Sequence, residues 1–230
     1  MRLSGDLVPA VFRRRLNRFA AEVECAGRMV TAHVPNSGRL RELLRPGASV
    51  WLTPVVQGRR KTAFDLSLAV ADRTLVSVDA RLPSGLVREA LEAGRLSAFA
   101  AYHDLRPEVR YGRSRLDFRL EGEGPAVLLE VKSVTLVRDG TALFPDAPTA
   151  RGVRHVEELA RAVAEGLRGA VLLVVQRGDA QRFAPHATAD PVFADALRRA
   201  AAVGVEVYAH PCRVTRREVI LQAAALPVEL

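Results

Sequence analysis

Apolar and polar residues alternate along much of the first 80 residues of the chain, as in RFAAEVEC (18–25) and FDLSLAV (64–70). Alternation with a period of two is typical of β-strands that bury one face. The pattern predicts a short helical insert at 38–44 and five strands, at 18–25, 29–34, 48–56, 64–70 and 74–79. Five short strands in this length favour a small β-barrel of the OB type over residues 1–80.

Residues 81–230 mix helical and strand patterns, which indicates an α/β (α+β mixed) domain with a mixed central sheet. The segment LPSGLVREALEAG (82–94) has the apolar spacing of a helix, with Ser84 as the expected N-cap and Gly94 at its end. Further helices are predicted at 150–166 and 190–203. Strands are predicted at 107–111, 115–120, 126–137, 169–176 and 205–209.

The segments RLDFRL (115–120) and AVLLEVK (126–132), joined by a Gly/Pro turn, predict a β-hairpin. A four-residue loop sets residue 120 opposite 127, 118 opposite 129 and 116 opposite 131. The residues of one face are then all apolar: Leu116, Phe118, Leu120, Val127, Leu129 and Val131. A slip of one residue would set these side chains against charged ones, so the pattern selects this register.

The other face of the hairpin carries Asp117 opposite Glu130 and Arg115 opposite Lys132. Directly opposed residues have Cβ atoms about 4.5–5.5 Å apart, so the two carboxylates repel unless a positive charge lies between them. Mg²⁺ binds carboxylate oxygens, keeps several waters and recruits phosphate. The pair therefore predicts a Mg²⁺ or Mn²⁺ site with Lys132 beside it. The alternative is a structural cluster in which Lys132 and Arg115 neutralise the two acids.

Charge and composition narrow the class of protein. The formal net charge of +8 favours a polyanionic partner such as nucleic acid. Lys61 and Lys132 are the only lysines among the 34 Lys and Arg residues of the chain. A position that needed only positive charge would here hold arginine, so the lysine at 132 is informative. Its ammonium fits beside a single oxygen better than a planar guanidinium does.

Two cysteines far apart, Cys25 and Cys212, form neither a metal pattern nor a disulfide framework. No apolar run reaches 18 residues, so no membrane span is expected, and the first residues lack the apolar core of a signal peptide. These features favour a cytoplasmic protein.

The string Asp, spacer, Glu-x-Lys on a hairpin resembles the PD-(D/E)xK nuclease superfamily. Over almost the whole chain the sequence resembles the sugar fermentation stimulation protein (SfsA) family. The motifs that carry this resemblance are VPNSGRL (34–40), RSRLDF (113–118), EVKSVTL (130–136), FPDAPTARGVRH (144–155) and the terminal LPVEL. The resemblance implies an OB-like domain, a nuclease-like α/β domain over 81–230, and DNA binding. The superfamily pattern has Pro before the Asp, and here the residue is Leu116.

The resemblance also implies roles for individual residues. Asp117 and Glu130 would bind the metal, and Lys132 would orient the attacking water and stabilise charge on the phosphorus oxygens. Glu89, on the helix before the hairpin, would be a further catalytic acid, and Asp146 an acid near the metal. Considered alone, Glu89 is an ordinary exposed helix residue and Asp146 caps a turn.

Phosphate contacts are expected from two basic regions of the barrel and from one helix. The basic residues are Arg59, Arg60 and Lys61 in the segment QGRRKT, Arg14 in the segment 11–19, and Arg151 and His155, one helical turn apart. Alternation points Phe19 and Phe64 to the core, so base stacking should be slight and salt dependence strong. The expected partner is DNA, with RNA as the alternative. The function predicted is a DNA-binding, metal-dependent nuclease, and the alternative is a non-catalytic DNA-binding regulator of sugar metabolism.

Overall fold

The computed structural model of the protein describes residues 1–3, 5–55 and 62–230. The first unit is a barrel of six strands in the order β3-β2-β1-β4-β5-β6, and a parallel pairing of β3 with β5 closes it. The strands are β1 (Val8–Asn17), β2 (Ala20–Cys25), β3 (Arg28–His33), β4 (Ser49–Pro54), β5 (Phe64–Ala71) and β6 (Thr74–Ser77). The predicted OB-type barrel is confirmed, with one strand more than expected.

Two local predictions in the barrel are wrong. Strand β1 is missing from the predicted strands. Its buried residues Ala10 and Phe12 alternate with more exposed ones, but the charged run at 13–15 interrupts this alternation in the sequence. The segment 38–44 is not a helix. Leu40 has φ of 50°, a left-handed value that interrupts a right-handed helix, and only a single turn forms, in which the Leu44 N–H donates to the Leu40 carbonyl.

The second unit has a mixed six-stranded sheet in the order β15-β14-β12-β9-β8-β7. Its strands are β7 (Tyr102–Tyr111), β8 (Ser114–Gly122), β9 (Val127–Val134), β12 (Arg168–Val175), β14 (Glu206–Val214) and β15 (Val219–Leu221). Strands β9, β12 and β14 run parallel, while β7, β8 and β15 are antiparallel to their neighbours. A separate small sheet is formed by β10 (Leu136–Arg138), β11 (Thr141–Phe144) and β13 (Arg182–Pro185).

Three α-helices cover the two faces of the large sheet. Helix α1 (Leu82–Glu92) packs on one face, and α2 (Ala150–Ala164) and α3 (Pro191–Ala202) pack on the other. Helix α2 begins where the Thr149 hydroxyl accepts the Gly152 N–H, and α3 begins where the Asp190 carboxylate accepts the Phe193 N–H. The expected N-cap of α1 is wrong, because Ser84 lies inside the helix, which starts after Arg81. In the part of the chain described, no helix is long and apolar enough to cross a membrane.

Polar contacts join the barrel to the sheet unit. Asp146 Oδ2 accepts the backbone N–H groups of Arg39 (2.6 Å) and Leu40 (3.2 Å) in the barrel. Gln176 is fully buried. Its side-chain oxygen accepts the Ser77 hydroxyl at 2.9 Å, and its amide donates to the Ser133 hydroxyl in β9 at 2.9 Å. The barrel and the sheet unit are therefore held together by hydrogen bonds at two separate points of their junction.

Replacing Asp146 by Ala removes the acceptor of two backbone N–H groups at this junction. We expect the free energy of unfolding to fall by about 1–3 kcal/mol, because the two hydrogen bonds go to a charged carboxylate and the Leu40 N–H is partly buried. Urea unfolding measures the loss, with Trp51 fluorescence reporting the barrel. Asp195→Ala, which removes an exposed helix ion pair with Arg199, is the control and should cost at most about 1 kcal/mol. Equal losses in both variants would contradict a role for Asp146 at the junction.

Candidate functional site

The hairpin of β8 and β9 has the predicted register only near its turn. Phe118 pairs with Leu129 and Leu120 with Val127, as expected, but backbone pairing extends no further than Phe118–Leu129. At the next position the carboxylate of Asp117 replaces the backbone partner, because its Oδ2 accepts the Val131 N–H at 2.9 Å. The two strands therefore separate at the level of Asp117 and Glu130.

This separation corrects the predicted apolar face. Phe118, Leu120, Val127, Leu129 and Val131 pack together on the α1 side of the sheet, as the alternation indicated. Leu116, however, packs into the core on the α2 side.

The carboxylate of Glu130 is the most deeply buried acid of the site, with 3% of the residue exposed. Its Oε1 accepts hydrogen bonds from Lys132 Nζ (2.5 Å) and from His155 Nδ1. Burial raises the pKa of Glu130, but these hydrogen bonds and the charge of Lys132 outweigh burial and hold the pKa below its ordinary value. Its Oε2 is buried and has no hydrogen-bond partner among the described residues.

Asp117 lies beside Glu130 and has the opposite electrostatic balance. Its Oδ1 accepts the hydroxyl of Ser84 from the first turn of α1 at 3.0 Å. Burial raises the pKa of Asp117, and the negative charge of Glu130 raises it further. The charge of Glu130 thus acts on Asp117, although the two residues are not paired in the ladder, and the two acids differ in which is held in the charged form.

His155 does not contact phosphate from the surface, which corrects one prediction. His155 is 2% exposed, because it lies on the face of α2 that packs against the sheet. Arg151, one turn earlier and exposed, donates from Nε to His155 Nε2 at 3.2 Å, so the imidazole proton lies on Nδ1 and is donated to Glu130. His155 therefore positions the Glu130 carboxylate. The one feature of the sequence that indicates this role is that His155 directly precedes the apolar residue Val156, which is buried.

The structure does not bring Glu89 to these residues. Its carboxylate lies 2.8 Å from the Met1 ammonium and 3.2 Å from Arg95. Glu89 follows Ser84 by five residues, which turns it about 140° around the helix from the side that contacts Asp117. Ser84 is the α1 residue that reaches the site, and sequence reasoning assigned it to a cap.

Several predicted residues lie elsewhere. Asp146 contacts the barrel backbone and not the two carboxylates. Arg14, on β1, is exposed and donates to Glu22 at 2.8 Å. Phe19 is 47% exposed, which corrects its expected core position. The basic residues Arg59, Arg60 and Lys61 lie outside the described residues.

The chemistry of the site fits a divalent cation held by few protein ligands. In the described ranges no three His, Cys, Asp or Glu side chains are grouped to hold a metal ion. The fit therefore depends on two carboxylates. Among the described residues, one buried oxygen of Glu130 has no hydrogen-bond partner, and the charge of Glu130 disfavours the charged form of Asp117. A cation that keeps several of its own waters needs only such a pair.

The sequence matches two family profiles. The profile of the SfsA N-terminal OB domain covers residues 14–78, and that of the sugar fermentation stimulation protein RE domain covers residues 81–218. The chain belongs to the sugar fermentation stimulation protein family. The resemblance to the family in the sequence motifs is thereby confirmed, together with an OB-type barrel followed by a mixed α/β domain.

Relatives in this family are similar over nearly the whole chain. The homologue of Desulforamulus reducens is 48% identical over 98% of this chain and 93% of its own length. That of Moorella thermoacetica is 49% identical over 92% of both. The structure of Pyrococcus furiosus SfsA in complex with Ca²⁺ is similar with a TM-score of 0.91 at 30% identity, covering 100% of this chain and 98% of that one. The architecture of both units is therefore that of the SfsA fold.

Replacing Asp117 by Asn tests the electrostatics of the carboxylate pair. Because the folded pKa of Asp117 is raised, its charge costs stability above that pKa, and the cost disappears as the pH falls below the unfolded value. We expect Asp117→Asn to raise the free energy of unfolding by roughly 0.5–2 kcal/mol at pH 7, and the gain to vanish in acid. Urea titrations from pH 3 to pH 8 measure it.

The matched control for this measurement is Asp104→Asn, an exposed carboxylate that pairs with Arg106. It should give no gain at pH 7. A loss of stability in Asp117→Asn at neutral pH would mean that Asp117 stabilises the fold in its charged form.

Proposed function

We propose that this protein binds DNA and hydrolyses phosphodiester bonds, using Mg²⁺ or Mn²⁺ bound by Asp117 and Glu130. In this proposal the barrel of residues 1–80 contributes basic surface, and the nuclease-like domain of residues 81–230 contributes the chemistry, in the cytoplasm. The observation that carries it is the buried, unpartnered Oε2 of Glu130 beside a second carboxylate and an ammonium, among the residues that the structure describes. Acids that are forced together in this way cluster at functional sites.

A divalent cation is supported independently by the related protein from Pyrococcus furiosus, whose structure is described in complex with Ca²⁺. Ca²⁺ and Mg²⁺ both prefer oxygen ligands. When bound, the cation would polarise the phosphate and lower the pKa of a coordinated water.

The chain's own residues have separate tasks in the proposed reaction. The ammonium of Lys132, 12% exposed and tied to Glu130, stabilises negative charge that builds on the phosphate oxygens. His155 and Arg151 hold the Glu130 carboxylate in place from α2, and Ser84 holds Asp117 from α1. Each acid is thus oriented by a different helix, which keeps both in position without backbone pairing between them.

A nucleic-acid path over basic surface completes the proposal. Arg59, Arg60 and Lys61 form one basic segment of the sequence, and Arg14 and Arg151 are exposed. Phe19 is exposed, but the Arg18 guanidinium lies over its ring at 5.6 Å and the His33 ring stacks with it at 6.5 Å, so base stacking on Phe19 is expected to be slight. Phosphate contacts by arginine dominate this surface, and DNA is the proposed partner, with RNA tested alongside it.

A non-catalytic DNA-binding regulator of sugar metabolism is the second candidate, and one observation favours it. Both donors, Lys132 and His155, contact the same oxygen of Glu130, and only two acids meet at the site in the part of the chain described. Such a set also serves as a buried polar cluster that stabilises a fold without turnover. The two candidates differ in metal binding and cleavage, which can be measured separately.

Metal binding and cleavage should both depend on the pair of acids. We expect Mn²⁺ to raise the melting temperature of the protein, and Asp117→Asn and Glu130→Gln each to abolish that rise. Single-stranded DNA, supercoiled DNA and RNA should be cleaved in the presence of Mn²⁺. Replacing Lys132 by Met, which keeps the apolar stem of the side chain, should lower the cleavage rate about 100-fold or more.

The matched control is Glu92→Gln, an exposed acid on α1, which should change neither measurement. DNA binding without cleavage in Mg²⁺ or Mn²⁺ would favour the regulator. Cleavage that persists in Asp117→Asn would contradict this site altogether.

Affinity for DNA should depend steeply on salt. Replacing Arg59, Arg60 and Lys61 together by Gln should reduce the slope of log affinity against log salt by about 0.9 for each phosphate of duplex DNA that these side chains neutralise. Fluorescence anisotropy at several salt concentrations measures the slope. Arg198→Gln, an exposed arginine on α3, is the control, and an unchanged slope in the triple variant would exclude this segment from the DNA surface.

A further inference from the structure

A cavity of about 480 Å³ lies between the barrel and the small sheet, away from the carboxylate site. Its walls come from the 41–48 turn and the β5–β6 turn of the barrel, and from β10 and Arg177 of the second unit. Small-molecule sites have this order of volume and occur preferentially where domains meet. The cavity is therefore large enough for a compact ligand that both units contact.

Arginine dominates the charge of the cavity. Arg41, Arg45, Arg138 and Arg177 line it, against the acids Glu42 and Asp72. Arg177 is 4% exposed and is fixed by Asp179 and by the Thr135 carbonyl. In the described part of the chain, no hydrogen bond or ion pair involves the guanidinium groups of the other three, whereas most arginines on β1, β7 and β8 contact a carboxylate or a carbonyl. Three such guanidinium groups around one cavity attract an anion.

Glu42 gives a second, independent sign of a ligand. It lines the same cavity, and its Oε1 is buried without a hydrogen-bond partner among the described residues. Burial raises the pKa of Glu42, the charge of Asp146 raises it further, and Arg177 and Arg138 lower it. The raised pKa favours the neutral carboxyl form, which repels an anion less than a carboxylate does.

We propose that this cavity binds a small anion that carries phosphate, held by the guanidinium groups of Arg41, Arg45 and Arg138. Guanidinium groups match the geometry of phosphate oxygens and bind them by paired hydrogen bonds. The volume of about 480 Å³ matches a compact ligand, and residues from both units line the space. Because the lining residues come from both units, the ligand contacts both and stabilises their arrangement.

Titration calorimetry of the full chain with pyrophosphate, and separately with inorganic phosphate, tests the proposal. EDTA in the buffer removes any contribution of a metal at Asp117 and Glu130. We expect saturable binding that weakens about tenfold or more in the double variant Arg41→Gln/Arg138→Gln, both of which are exposed positions. Glu42→Gln should bind at least as tightly as the unmodified chain, since an amide can donate a hydrogen bond and never carries a negative charge.

Two matched variants keep the test specific. Arg198→Gln removes an exposed charge on α3, and Asp117→Asn alters the other site, so both should bind pyrophosphate unchanged. The absence of saturable binding, equal weakening in Arg198→Gln, or weaker binding in Glu42→Gln overturns the proposal. If the double variant loses affinity for an oligonucleotide and none for pyrophosphate, the cavity belongs to the nucleic-acid surface and the proposal is wrong.

Discussion

A buried carboxylate must be balanced by hydrogen bonds or by opposite charge, and within the described chain Glu130 is balanced on one oxygen only. Lys132 reaches Oε1 from the same strand, and His155 reaches it from α2, where Arg151 fixes its ring. The core on the α2 side holds this helix against the sheet, so apolar packing sets the position of the imidazole. The open oxygen is thus a consequence of where the helix and strand are placed.

The separation of β8 from β9 gives the second acid its place. A continued ladder would pair the backbone at Asp117, but its side chain accepts the Val131 N–H instead and stays beside Glu130. Ser84 supports it from α1. The same strand β9 is tied to the barrel through Ser133 and Gln176, so the junction of the two units and the acid pair share one structural element. A displacement of β9 at the junction would therefore also displace Glu130 in the acid pair.

The sequence predicts those parts of the fold whose side chains alternate without interruption. The apolar run around Leu129 sets the register near the hairpin turn, and the helices near 150 and 190 have strong periodicity and capping residues. The sequence does not predict β1, because charged residues interrupt its pattern, nor that the strands separate at Asp117, because this depends on a side chain replacing a backbone partner. The sequence suggests that Glu89 is an acid that α1 contributes to the site. The rotation of the helix instead places Ser84 next to Asp117.

The choice of lysine at position 132, in a chain that otherwise uses arginine almost throughout, follows from the same balance. A guanidinium binds both oxygens of a carboxylate at once, and at this position it would satisfy Oε2 as well as Oε1. Of the two oxygens of Glu130, the compact ammonium of Lys132 contacts Oε1, and Oε2 has no partner among the described residues and stays available to a cation. A purely structural ion pair gains from the second hydrogen bond and would favour arginine here. Lysine at this point is therefore better explained by a site that must keep one oxygen open.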